Sequence, residues 1–140
     1  MKILVIDDQV MEFMGIMDSW VTSKVKNPKV SWECATSGEA GINILKNKTI
    51  YLVLIDGNLI NEQGYQVVQE IRESGNKVYL CMFSSDIKQN ELGLSSGANF
   101  SIDKGDFLNG CFSELISEDQ QVALDKMAAI ITLAGLRQSL

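Results

Sequence analysis

Lys2-Ile3-Leu4-Val5-Ile6-Asp7-Asp8 is a short apolar run, rich in β-branched residues, that stops abruptly on two carboxylates. The same form returns at Tyr51-Leu52-Val53-Leu54-Ile55-Asp56. Runs this short and continuously apolar are the pattern of strands covered on both faces, as parallel strands are when helices cross over them. Outward from these two runs, the chain alternates. Val10, Phe13, Met14, Met17, Trp20 and Val21 recur at helical spacing, and Asn27-Pro28 follows the end of that helix. Residues 30–35 read as a second strand. Thr36 and Glu39 form a capping-box pattern ahead of a helix carrying Ala40, Ile44 and Leu45.

After Asp56 comes a polar loop, Gly57 to Gly64, then a third helix with Val67, Val68 and Ile71. Residues 77–83 read as a fourth strand. Ser84-Ser85-Asp86 opens a helix with Ile87, Leu92 and Leu94, which Gly97-Ala98 ends. Residues 99–102 form a short fifth strand, and Phe107, Leu108, Cys111, Phe112, Leu115 and Ile116 mark the apolar face of a fifth helix. Five alternations of strand and helix mean βαβ units: an α/β fold, doubly wound, with a five-stranded parallel sheet and helices on both faces.

The predicted domain covers residues 1–116, and residues 117–140 form a C-terminal helical extension. Ser117 and Gln120 resemble a second capping box, and Leu124, Met127, Ala128, Ile131 and Ala134 share one helical stripe. The stretch is either a sixth helix or a bent continuation of the fifth. Its stripe either packs on its own domain, the commoner use of such a face, or forms a homodimer or partner surface through residues 117–134.

Composition sets limits. The 140 residues suit one domain of ordinary globular make-up, 46% hydrophobic and 21% charged. A net charge of −6 opposes binding to nucleic acid or an anionic membrane surface. No signal segment or membrane span is seen, which places the protein in the cytoplasm. Three cysteines, Cys34, Cys81 and Cys111, match no zinc spacing or disulfide framework and read as reduced, mostly buried thiols. The chain has no histidine, so imidazole acid–base chemistry is excluded and polar chemistry falls to carboxylates, Lys, Ser/Thr or Cys.

In an open parallel sheet, the loops after the strand carboxyl ends meet at one edge, where ligands bind. The residues just beyond each apolar run are Asp7 and Asp8, Asp56, Ser84 and Lys104. Each alone is an ordinary turn, cap or surface residue. Together they put three carboxylates, a hydroxyl and an ammonium on one edge. Crowded carboxylates call for a cation, and a hard divalent ion with oxygen ligands, Mg²⁺, fits. An aspartate nucleophile, a metal, a lysine and a hydroxyl are the parts needed to spread the charge of a phosphoryl transfer.

Residues 3–9, 52–56, Met82-Phe83-Ser84-Ser85 and the stretch from Gly97-Ala98 to Asp103-Lys104 resemble, in order, the motifs of response-regulator receiver domains, over residues 2 to about 116. The resemblance implies a flavodoxin-like sheet with strand order 2-1-3-4-5. It implies Asp56 as phosphoacceptor in a two-component phosphorelay. Mg²⁺ would be held by Asp8, Asp56 and the backbone carbonyl of Asn58, with Asp7 holding metal-bound water. Ser84 would bind the phosphoryl group and Lys104 would pair with its oxygens. The donor would be a phosphohistidine on a sensor histidine kinase or a histidine phosphotransfer protein, and a downstream protein would read the state. No catalysis is expected beyond self-phosphorylation and self-dephosphorylation, in which Asn58 and Asp86 would flank the phosphoryl group.

Three positions depart from that family's pattern. Ile60 and Gly105 stand where prolines are usual, and Ser101 stands where a switch aromatic is usual, with Phe100 beside it on the opposite face. Gly105 and the missing switch aromatic favour an alternative, a pseudo-receiver that never carries phosphate and serves as an interaction scaffold; the complete set of Asp7, Asp8, Asp56, Ser84 and Lys104 opposes it. A phosphoaspartate phosphatase would place an Asp where Asn58 stands, and a dinucleotide site would need a Gly-rich loop where Asp7-Asp8-Gln9-Val10 stands.

Overall fold

The computed structural model describes residues 1–25 and 29–138. Asn27-Pro28, read as following the end of the first helix, therefore lies outside the described residues. The elements run β1 (Lys2–Ile6), a 3₁₀ turn (Val10–Glu12), α1 (Met14–Lys24), β2 (Ser31–Ala35), α2 (Gly38–Asn47), β3 (Leu52–Ile55), β4 (Asn58–Leu59) and β5 (Glu62–Gln63). They continue with α3 (Gly64–Glu73), β6 (Tyr79–Ser84), α4 (Ile87–Ser96), β7 (Phe100–Asp103), α5 (Lys104–Phe112) and α6 (Glu118–Gln138). Five strands form one parallel sheet in the order β2-β1-β3-β6-β7. Counted along the chain without β4 and β5, that is the expected order 2-1-3-4-5.

Side-chain alternation in the central strands builds two cores. Ile3, Val5, Leu52, Leu54, Cys81 and Phe83 face one side with Phe13, Met17 and Phe107. Leu4, Ile6, Val53, Ile55, Leu80 and Met82 face the other with Val67, Val68 and Ile71. Every residue from Ile3 to Ile6 and from Leu52 to Ile55 is buried, as the two unbroken apolar runs require. Because the strands are parallel, their carboxyl ends share one edge, and Asp7, Asp56 and Lys104 follow directly from β1, β3 and β7.

Local readings need correcting in four places. The Gly57–Gly64 loop contains an antiparallel hairpin, β4 with β5, whose tip holds Asn61 in the left-handed region (φ 64°). Helix α2 is capped by Ser37, whose hydroxyl accepts from Ala40 N at 3.2 Å, and not by the Thr36–Glu39 pair. One residue separates the two registers, and Ser37 is the one with extended backbone (φ −145°, ψ 161°). Helix α5 stops at Phe112, leaving Phe112 and Leu115 exposed. α6 covers the core there instead, approaching so closely that a side chain at Gly110 would press on Leu124. Finally, Cys81 is fully buried but Cys34 is exposed, because β2 is an edge strand.

α6 is a separate helix. Ser117 and Gln120 cap it reciprocally, at 3.0 and 3.2 Å. Its stripe packs inward: Leu124, Met127, Ile131 and Ala134 are buried together with Ala123 and Ile130, while Ala128 is only half-buried. That leaves Val122, Leu133 and Leu136 on its outer side. No helix among the described residues is long and apolar enough to cross a membrane.

Candidate functional site

The carboxyl edge carries an open cleft of about 530 Å³ lined by Asp8, Gln9, Asp56, Asn58, Ser84, Ser85, Asp86 and Lys104. Asp7 lies beneath it, 1% exposed. The backbone extends the sheet ladder right up to the carboxylates: Asp7 N donates to Ala35 O and Asp56 N to Ile6 O, both at 2.9 Å. The acids are therefore fixed to the frame of the sheet and do not ride on loose loops.

Asp7, Asp8 and Asp56 each offer a carboxylate oxygen, and these oxygens lie within 4.8 Å of one another. Lys104 Nζ donates to Asp7 Oδ2 at 2.8 Å and stands 3.7 Å from Asp56 Oδ1. Asp7 Oδ1 also accepts from Gln9 N at 2.8 Å, so both of its oxygens are engaged. The Lys104 ammonium lies over the Phe13 ring, 5.5 Å from its centroid, which steadies it on the apolar side.

One ammonium among three carboxylates leaves excess negative charge. The Asp56 carboxyl is pushed up to about 6, first by burial and then by the charge of Asp7. Lys104 and the backbone N–H groups of Asn58 and Gly57 pull it the other way without prevailing.

Ser84 ends β6, 2% exposed, and its Oγ accepts from Asp86 N at 3.1 Å. That bond leaves the hydroxyl proton free to be donated. Asn90 Nδ2 donates to Ser84 O at 2.9 Å, tying the end of the strand to α4. Asp86 caps α4 by accepting from Lys88 N and Gln89 N, and its other oxygen accepts from Asn58 Nδ2 at 3.4 Å. Gly105 N donates to Ser85 Oγ at 3.0 Å, which holds the loop after β7 against the loop after β6.

The structure thus gathers Asp7, Asp8, Asp56, Asn58, Ser84 and Lys104 at one place. Gln9 and Ser85 also line the cleft and were given no role from sequence. Their only signal is adjacency to Asp8 and Ser84.

The sequence profile of the response regulator receiver domain matches residues 3–106. The chain belongs to the response regulator receiver domain family. Receivers are signalling domains of two-component systems and are not in general enzymes. Comparison with the curated proteins finds no match.

Solved receivers share this fold. The receiver domain of Francisella response regulator 1452 aligns at 14% identity and TM-score 0.67, with 98% of each chain covered. A CheY-like receiver domain protein of Methanospirillum hungatei aligns at 15% identity and TM-score 0.65, covering 95% of this chain and 94% of that one. TrrA of Thermotoga maritima, in complex with Mg²⁺–BeF, aligns at 15% identity and TM-score 0.65, covering 92% and 97%. At such identities the likeness carries the fold. An overlap of 98% of this chain extends over the 21 residues of α6.

Proposed function

We propose that this receiver accepts a phosphoryl group on Asp56 from a phosphohistidine of a sensor kinase or phosphotransfer protein, in a Mg²⁺-dependent reaction in the cytoplasm. The transfer would switch a partner-binding surface formed by α4 with β7. The unit that does this is the receiver of residues 1–116, with α6 of the 117–140 extension packed on it. The observation that carries the reading is the placement of Asp56: 8% exposed at the mouth of the cleft, with a carboxylate oxygen within 4.8 Å of oxygens of Asp7 and Asp8, and with Lys104 at 3.7 Å.

The donor set fits a hard divalent cation. It is all oxygen, and three carboxylates face the single ammonium of Lys104. Asp8, Asp56 and the Asn58 carbonyl would hold Mg²⁺, with Asp7 on its water. When bound, the ion supplies the charge neutralisation that lets the anionic carboxylate and phosphoryl group meet.

The chain's own residues then divide the work. An Asp56 oxygen forms the new bond to phosphorus as the P–N bond to the donor imidazole breaks. The imidazole nitrogen keeps the electron pair and is protonated from solvent. Lys104 meets one phosphoryl oxygen and the Ser84 hydroxyl donates to another. Self-association through α6 would have to use its outer residues Val122, Leu133 and Leu136, because the stripe is buried.

The scaffold reading has a specific basis in Ser101 and Gly105, which replace the usual switch aromatic and proline. One experiment separates the two: intact mass after incubation with Mg²⁺ and a small-molecule phosphodonor, wild type against Asp56→Asn. A single Mg²⁺-dependent phosphoryl adduct, absent from the variant, supports the acceptor. A folded wild-type protein that binds Mg²⁺ and gains no adduct supports the scaffold.

A further inference from the structure

A second concavity, about 410 Å³, lies between α4, β7 and α6 and shares no lining residue with the acidic cleft. Its walls are apolar: Leu94 from α4, Phe100 from β7, and Ile130 and Leu133 from α6. Two features of β7 open it. Ser101 fills little space, and the Phe100 ring is drawn against Tyr79, with centroids 5.8 Å apart.

One cation stands at this apolar wall. Among the described residues, Lys126 Nζ donates only to the Ser101 carbonyl, at 3.3 Å. Among the described residues no carboxylate lies within ion-pairing distance of it, although the chain carries a net charge of −6. A neutral acceptor at that distance is a weak partner for an ammonium, and a carboxylate there would make a shorter and stronger charge-assisted bond. Apolar walls, a few polar groups (here Asn99, Ser101 and Lys126) and a volume of several hundred Å³ are the usual make-up of a small-molecule site.

We propose that this groove binds a small apolar anion, an aliphatic or aryl-alkyl carboxylate, with its hydrocarbon against Leu94, Phe100 and Ile130 and its carboxylate on Lys126. The groove is bounded by two helices and a strand, and its single cation sets the charge of the occupant. Such a ligand would bridge α4 and α6 across β7 and cover part of the surface proposed above for a partner protein. Binding itself does not depend on phosphorylation.

The test titrates 4-phenylbutyrate into the unphosphorylated full chain and follows backbone amides by two-dimensional NMR. The expected result is saturable binding with Kd at or below about 1 mM, with shifts centred on Phe100, Ser101 and Lys126. The neutral analogue 4-phenylbutanol should bind about tenfold more weakly, the equivalent of one charge-assisted contact. Lys126→Gln should erase the preference for the acid, and Ala129→Trp, which fills the groove, should abolish binding of both. Circular dichroism of both variants establishes that they fold. Absence of saturable binding, equal binding of acid and alcohol by the wild type, or an unchanged preference in Lys126→Gln would overturn the proposal. So would shifts confined to the acidic cleft, or a groove that takes an acidic amphipathic peptide and not the small acid.

Discussion

Lys104 is bonded to Asp7 at 2.8 Å and stands 3.7 Å from Asp56, so the ammonium serves the buried acid before Asp56. Asp7 is 1% exposed, and a buried carboxylate that loses its partner is costly. Lys104→Met should therefore lower metal-free stability by about 3 kcal/mol, the usual scale for breaking one side of a buried pair. Phosphorylation by a small-molecule donor should slow at least about tenfold, because one oxygen of the transferring group loses its counter-charge. Urea denaturation and timed intact mass check the two effects separately. A fast Lys104→Met protein would remove Lys104 from the transfer while leaving its structural role.

The Asp56 carboxyl gives a pH signature of defined sign. It is pushed up to about 6 in the folded domain, against about 4 for an unfolded aspartate. Between those values the folded state holds more protons. Stability from this group is therefore greatest at low pH and falls as pH rises through that window. In metal-free buffer, Asp56→Asn should be more stable than wild type at pH 7.5 by on the order of 1–3 kcal/mol, and the advantage should shrink toward pH 5. Saturating Mg²⁺ should shrink it as well, by neutralising the carboxylate it relieves. Taking the difference between the two proteins cancels the titrating groups that do not interact with Asp56. A gap that does not change with pH would mean that Asp56 is not held up in the folded state.

Why the sheet and its edge were legible in the sequence, and other parts were not, follows from the range of the forces involved. Residues 3–6 and 52–55 announce buried strands because continuous apolarity has one cheap outcome in a parallel sheet. Once the strands are placed, Asp7, Asp8, Asp56, Ser84 and Lys104 have no choice of edge. The β4–β5 hairpin was hidden because Asn58-Leu59 and Glu62-Gln63 show no strand pattern of their own. The early stop of α5 was hidden for a different reason. Phe112, Leu115 and Ile116 continue the right spacing, but α6 occupies the surface they would have covered, a decision made far along the chain. Which of two adjacent hydroxyls, Thr36 or Ser37, caps α2 turns on one backbone angle that composition does not encode.

Gly64 provides a test of how tightly Asp56 is held. A Cβ at this position would run into the carbonyl oxygen of Asp56, and Gly64 N donates to Gly57 O at 2.9 Å. Neither contact has a flexible side chain that could give way. Gly64→Ala should cost about 2 kcal/mol or more, as overpacking against backbone does. It should also weaken Mg²⁺ binding by displacing Asp56. Gly15, which has open space around it, is the control: Gly15→Ala should leave Mg²⁺ affinity unchanged. Calorimetric titration with Mg²⁺ reads the difference. Equal affinities in both variants would show that the edge is more compliant than the geometry indicates.

The lifetime of the phosphorylated state should rest on the pair that spans the cleft, Asn58 and Asp86, with Nδ2 3.4 Å from Oδ2. Both are polar groups able to orient a water beside the phosphoryl group. Asp86 has a second duty, because its other oxygen caps α4 through Lys88 N and Gln89 N. An apolar replacement therefore does two things. Asp86→Leu should lower stability by about 1 kcal/mol through the lost cap, and it should slow decay of phospho-Asp56 several-fold through the lost water contact. Asp86→Asn separates the effects. It keeps an oxygen for the cap and a polar group for the water, so both stability and decay should stay near wild type. Decay is followed by intact mass after removal of the phosphodonor. An Asp86→Leu protein that loses stability but decays at the wild-type rate would leave Asp86 a cap and nothing more, and hydrolysis would then have to be controlled from the Asn58 side alone.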